Sequence, residues 1–198
     1  GNVGAYNNFW LDGGTRPTGR TSLIFDPPSG RLPALTPEAE RMRTDARRAR
    51  AEADTEDNEY RQAVILEVQR VRTVIDFAGR HVYAPSFNLG EYTIPQGYSI
   101  VVALSQMHHR AQEFPDPDRF DPHRFLGQRP PTFAHIPFGG GTRRCVGAAF
   151  ANVEMDIVLR TVLRHFVIET TDAPAEKTHS RGVAYTPKSG GRVVVHRR

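Results

Sequence analysis

The stretch Phe138-Gly139-Gly140-Gly141-Thr142-Arg143-Arg144-Cys145-Val146-Gly147 decides how the rest of the chain is read, and it holds the chain's only cysteine. Three consecutive glycines let the backbone turn tightly and come close to a flat object. Arg143 and Arg144 adjoin the cysteine, where positive charge favours a thiolate over a thiol. The residues that follow, from Ala148 to Leu159, predict a helix with apolar positions 150, 153, 157 and 158 on one face. Cys145 therefore precedes a helix N-terminus, whose partial positive charge also stabilises anionic sulfur. Glycines, arginine, cysteine and helix together point to a thiolate holding a flat, anionic metal cofactor.

The rival readings explain less. A buried free cysteine in a glycine-rich turn is the usual fate of a lone cysteine, but it leaves the adjoining arginines without a reason. A cysteine-phosphatase loop needs an arginine six residues after the cysteine, where Ala151 stands. A phosphate-binding loop needs Gly-Lys-Ser/Thr, and a dinucleotide fingerprint fails because Gly139-x-Gly141 leads to Arg144. The pattern Phe-x-x-Gly-x-Arg-x-Cys-x-Gly, filled by Phe138, Gly141, Arg143, Cys145 and Gly147, resembles the heme-ligating signature of the cytochrome P450 family. The resemblance implies that Cys145 is the proximal ligand of the iron of heme b and that Arg143 pairs with a heme propionate. It also implies that Phe138 packs beside the sulfur, and that Gly147 lets the helix lie close to the porphyrin.

Outward from this loop, residues 59–75 predict a helix with Val64, Val68, Val71 and Ile75 on one face. Glu67 and Arg70 are neighbours on its surface. Alone they would be an ion pair of little worth, but Glu67 borders the apolar stripe and is expected to be partly buried. In the family resembled, a Glu-x-x-Arg pair before the heme loop forms a structural network with a later arginine. Pro117-Asp118-Arg119-Phe120 and Pro122-His123-Arg124-Phe125 compete for that place. The second is chosen, which makes Arg124 the third member and puts His123 where an acid is usual. Phe114, Phe120 and Phe125 are expected to pack this proline-rich meander. Phe77–Tyr83 and Glu91–Val102 predict short strands with a bend at Pro95-Gln96-Gly97, and Arg80 stands where the family places a second propionate-binding arginine. His108 and His109 are read as structural, because adjacent side chains on an extended backbone point opposite ways. His135 either hydrogen-bonds the cofactor edge or is a tolerated substitution. Beyond the helix at about 147–164, strands are predicted at 166–169, 183–185 and 192–196, with Gly190-Gly191 as a hairpin turn between the last two.

Residues 1–57 resemble no family and form an unassigned arm, with 58–198 as the heme-domain part. The arm holds a short strand at 22–25 and a helix start with Thr36 as N-cap and Pro37 in the first turn. From 38 to 56 it is almost only Ala, Arg, Glu and Asp, which reads as a solvated helix or linker. Acids mixed among its arginines argue against a nucleic-acid arm, as does a net charge of only +4 over 198 residues. A single cysteine excludes an internal disulfide framework and fits a reducing, cytoplasmic setting. No apolar run is long enough for a transmembrane segment.

The expected fold class is mainly α with small antiparallel β-sheets (α+β), a partial cytochrome P450-like fold. The resemblance implies a heme-thiolate monooxygenase, an oxidoreductase acting on a small organic substrate with O2. Electrons would come from a ferredoxin or flavoprotein reductase, and the thiolate's electron density would favour O–O cleavage. The family's long distal helix, with its acid–alcohol pair, is expected before Glu59. Residues 1–57 resemble nothing of it, so no catalytic residue is assigned and the chain reads as truncated. The alternative is a non-catalytic heme-binding or protein-interaction fragment.

Overall fold

A computed structural model describes residues 37–169 and 177–198. The expected strand at 22–25 and the N-cap at Thr36 lie outside the described residues.

Helix α1 (Pro37–Ala53) is not the solvated helix expected from its composition. Ala49, Ala53, Asp45 and Glu52 are all buried. Alanines let α1 approach its neighbours closely, and the buried acids find partners there. The Asp45 carboxylate meets His123 Nε2 at 2.8 Å. Glu52 accepts from the backbone N–H groups of Tyr60 at 2.9 Å and Arg61 at 3.0 Å. These open α2 (Glu59–Val71), whose own N-cap, Asn58, makes no side-chain bond. The first turn of α2 is thus capped from the preceding helix, which satisfies donors that would otherwise be orphaned. Arg61, itself buried, donates to the carbonyls of Glu52 and Asp57 at 2.7 and 2.8 Å, and to Asp156 Oδ1 at 3.1 Å. Asp156 belongs to α4 (Ala148–His165), so one guanidinium joins three helices.

Helix α2 stops at Val71, four residues before the expected end. Thr73-Val74-Ile75 is a β-branched run, which a helix tolerates poorly. The Val74 carbonyl accepts instead from the Tyr185 amide at 2.7 Å. The core has two parts. Ala49, Ala53, Tyr60, Val64, Phe120 and Leu163 form one, and Ala63, Phe114, Phe125 and Ala134 form the other. Phenylalanines thus anchor a meander too rich in proline for regular structure.

The strands form four separate antiparallel pairs. Strand β1 (Phe77–His81) pairs with β4 (Ser99–Ala103), with Arg80 opposite Ile100, and β2 (Ser86–Leu89) pairs with β3 (Tyr92–Pro95). A short helix α3 (Leu104–His108) follows β4, so the two histidines stand at a helix end rather than on extended backbone. Strand β5 (Phe166–Glu169) pairs with β8 (Val194–Arg197), and β6 (Thr178–Arg181) with β7 (Ala184–Pro187). The expected hairpin across Gly190-Gly191 is therefore not formed. Gly182, at φ 68°, begins a two-residue Gly-Val loop that suits a hairpin. This loop gives β7 to β6 and leaves β8 to return to β5. Beside β8, Arg198 closes the end of α4. Its amide donates to the His165 carbonyl at 3.0 Å, and its guanidinium to the carbonyls of Leu163 and Arg164.

Among the described residues no helix is long and apolar enough to cross a membrane.

Candidate cofactor site

Two glycines shape the cysteine loop. Gly139 and Gly141 have φ of 70° and 64°, in the left-handed region that glycine enters without steric cost. A 3₁₀ turn, Gly141–Arg143, follows. The loop closes where the Cys145 amide donates to the Phe138 carbonyl at 3.0 Å, and the Cys145 carbonyl accepts from Ala148 at the start of α4. Cys145 is a free, exposed thiol. A Cβ added at Gly139, Gly140 or Gly141 would meet nothing within 4 Å, and one at Gly147 would lie 3.8 Å from Cys145 Sγ. Phe138 is half-buried, and Arg143 and Arg144 are exposed. Arg80 is also exposed, its guanidinium resting on the Gly79 carbonyl at 2.8 Å. No hydrogen bond or ion pair among the described residues joins Arg80 to the cysteine loop.

Behind the loop lies a buried ion pair. Arg70 and Glu67 are both fully buried. Arg70 Nε and Nη2 donate to the two Glu67 oxygens at 2.8 and 2.9 Å, a bidentate pair. Arg124 Nε reaches Glu67 Oε1 at 3.2 Å, and the Asp121 amide reaches the same oxygen at 2.7 Å. Arg70 also donates to the carbonyls of His108 and Arg119, and Arg124 to those of Pro115, Asp116 and Arg119. Of the two competing meander stretches, the second therefore contributes a side chain and the first a carbonyl.

Two histidines tie this pair to the cysteine loop. His108 is fully buried. Its Nε2 accepts from the Ile136 amide at 3.0 Å, and its Nδ1 lies 2.9 Å from Thr73 Oγ1. His135 Nε2 is 3.0 Å from the Leu66 carbonyl, so its bond goes to α2. The two rings stack at 5.5 Å, and His135 also lies edge-on to Phe114 and Phe125. Burial, chiefly, pushes the His108 imidazole down to about 4, helped by His135, Arg70 and His109. Burial likewise lowers His135, while the Leu66 carbonyl opposes the shift. Sequence reading gave His108 no positional role. Adjacent histidines carry no sign of which one is buried; the contacts with Thr73 and Ile136, 35 and 28 residues away, set His108 apart.

These features fit a flat, anionic, iron-bearing ring. The loop offers an open soft donor, glycines with free space where side chains would stand, and Arg143, which has no hydrogen-bond or ion-pair partner among the described residues. A sequence model of cytochrome P450 matches residues 34–193. The chain belongs to the cytochrome P450 family. The match takes in α1 as well as the heme-loop region. Cytochrome P450 138 of Mycobacterium tuberculosis (strain ATCC 25618 / H37Rv) is 65% identical over 147 residues, covering 74% of this chain and 33% of that protein. Cytochrome P450 135B1 of the same strain is 40% identical over 147 residues, covering 74% and 31%. Among solved structures, retinoic acid-bound cyanobacterial CYP120A1 superposes with a TM-score of 0.63 at 27% identity, covering 77% of this chain and 39% of that one. This P450 chain thus spans about a third of the length of the curated relatives it matches.

Proposed function

We propose that the chain carries the thiolate side of a heme-thiolate monooxygenase. The observation that carries this reading is the exposed Cys145 sulfur, set in a glycine loop beside Arg143, which has no hydrogen-bond or ion-pair partner among the described residues. When bound, heme b supplies the activation of O2 for insertion into a C–H bond of a small organic substrate. Cys145 would ligate the iron through Sγ and lend it electron density. Arg143 would meet a propionate in a charge-assisted pair, with Arg80 as a second cation. Phe138 would shield the sulfur, and Gly147 would keep a side chain away from it. Glu67, Arg70 and Arg124 touch none of these atoms and hold the scaffold. A ferredoxin or flavoprotein reductase would deliver the electrons.

Heme titration of the purified chain, followed by the spectrum of the reduced, carbon monoxide-bound form, tests this. The wild type should show the long-wavelength Soret band of a thiolate ligand, and Cys145→Ser should lose it. Identical spectra, or no heme uptake, overturn the reading. The alternative reading is a non-catalytic heme-binding or protein-interaction fragment. Substrate oxidation supported by a redox partner separates the two.

A further inference from the structure

The His108 side chain links the buried Glu67–Arg70 pair to the segment that leads into the Cys145 loop. Arg70 holds the His108 carbonyl at 2.9 Å, which fixes the end of α3. The His108 ring then spans two segments, Thr73 at one nitrogen and Ile136 at the other. The Ile136 N–H can only donate, so Nε2 is bare and Nδ1 carries the ring proton. Nδ1–H donates to Thr73 Oγ1, and the Thr73 hydroxyl donates in turn to the Arg70 carbonyl at 3.3 Å. The direction of every bond is then settled and consistent. Past Ile136, its carbonyl accepts from the Gly139 amide at 2.9 Å, and the Phe138 carbonyl accepts from the Cys145 amide at 3.0 Å. These hydrogen bonds, joined through the covalent backbone of residues 136–139, connect α2 to the backbone of the cysteine.

We propose that His108 is a positioning residue for Cys145: as the neutral Nδ1–H tautomer, it registers the cysteine loop against α2 by holding the Ile136 amide. The inference rests on the heme-thiolate reading for its functional meaning but not for its geometry. His135, stacked on His108 and bonded to the Leu66 carbonyl, is a parallel brace that cannot replace the contact with Ile136. A side chain with an acceptor at the Nε2 position should preserve the register, whereas one that reaches only Thr73 should not.

Hydrogen–deuterium exchange of the heme-free chain tests this directly, with His108→Gln against His108→Asn. Glutamine carries its amide oxygen out to the place of Nε2, and asparagine reaches only the place of Nδ1. The Asn variant should speed exchange at Ile136, Gly139 and Cys145 about tenfold or more, because a buried donor loses its partner. The Gln variant should stay within about threefold of wild type, and the α2 amides should be unchanged in both. Heme titration adds the spectroscopic reading: the thiolate Soret band should weaken in the Asn variant and return in the Gln variant. If the two variants exchange alike, or if α2 loosens together with the loop, the positioning role is overturned. If wild-type chain shows no thiolate band while the exchange pattern holds, the heme reading fails and the loop-registering role stands.

Discussion

Neither Arg70 nor Glu67 would be stable alone where it sits. Each is fully buried, and a buried charge without its partner costs far more than the pair gains over apolar residues. Arg70→Leu or Glu67→Gln should therefore lower unfolding free energy by about 3–5 kcal/mol in urea titrations. Arg124→Ala, which leaves the bidentate pair in place, should cost about 1–2 kcal/mol. His108 sets a pH dependence. Its imidazole is pushed from 6.5 down to about 4 in the fold, so the unfolded chain binds more protons below pH 6.5. This contribution to stability is complete above that value and is lost progressively as pH falls through about 4. The melting temperature should fall over this window, and the fall should be shallower in His108→Gln. The Glu67–Arg70 spacing was legible because i,i+3 neighbours must meet on a helix. The burial of His108 was not, because it depends on where residues 70 and 136 come to lie.

Helix α1 shows how an element can be misread from its composition. Its sequence is almost only alanine and charged residues, with no broad apolar stripe, which reads as a solvated helix. Alanine buries little area but permits close approach, and Glu52 uses that approach to cap α2. Glu52→Ala should destabilise the chain by about 1–2 kcal/mol. Arg61→Ala should be strongly non-additive with Asp156→Ala, since the Arg61 guanidinium donates to the Asp156 carboxylate at 3.1 Å. Chemical denaturation reads both, the second as a double-mutant cycle, and simple additivity would refute the shared junction. Strands are expected over β1, β3, β4, β5, β7 and β8 but not over β2 or β6. Without β6 the Gly182-Val183 loop has no strand to turn back on, and the expected pairing joins β8 to β7 instead of β5.

For the molecule as a whole, the expected mixture of helices and small antiparallel sheets is the one observed, because the periodicities of α2 and α4 and the turn residues between strands are local signals. The apolar stripe of α4 was also legible, and it stands exposed. Phe150, Val153, Ile157 and Val158 are all more than half exposed, with Phe133 and Val146 more open still. Such a surface is large for a monomer. The isolated chain should self-associate in sedimentation experiments and bind an apolar dye; a monomer with a cooperative melt and no dye binding would contradict this. Finally, Arg198 and β8 give the fold a dependence on time. During synthesis β8 emerges about 25 residues after β5, a delay on the order of seconds at ribosomal rates. Until then the last carbonyls of α4 are uncapped and the edge of β5 is open to any passing strand. The nascent chain is most exposed to mispairing after its cysteine loop and α4 have already been made, and a pause in translation within that interval would prolong the hazard.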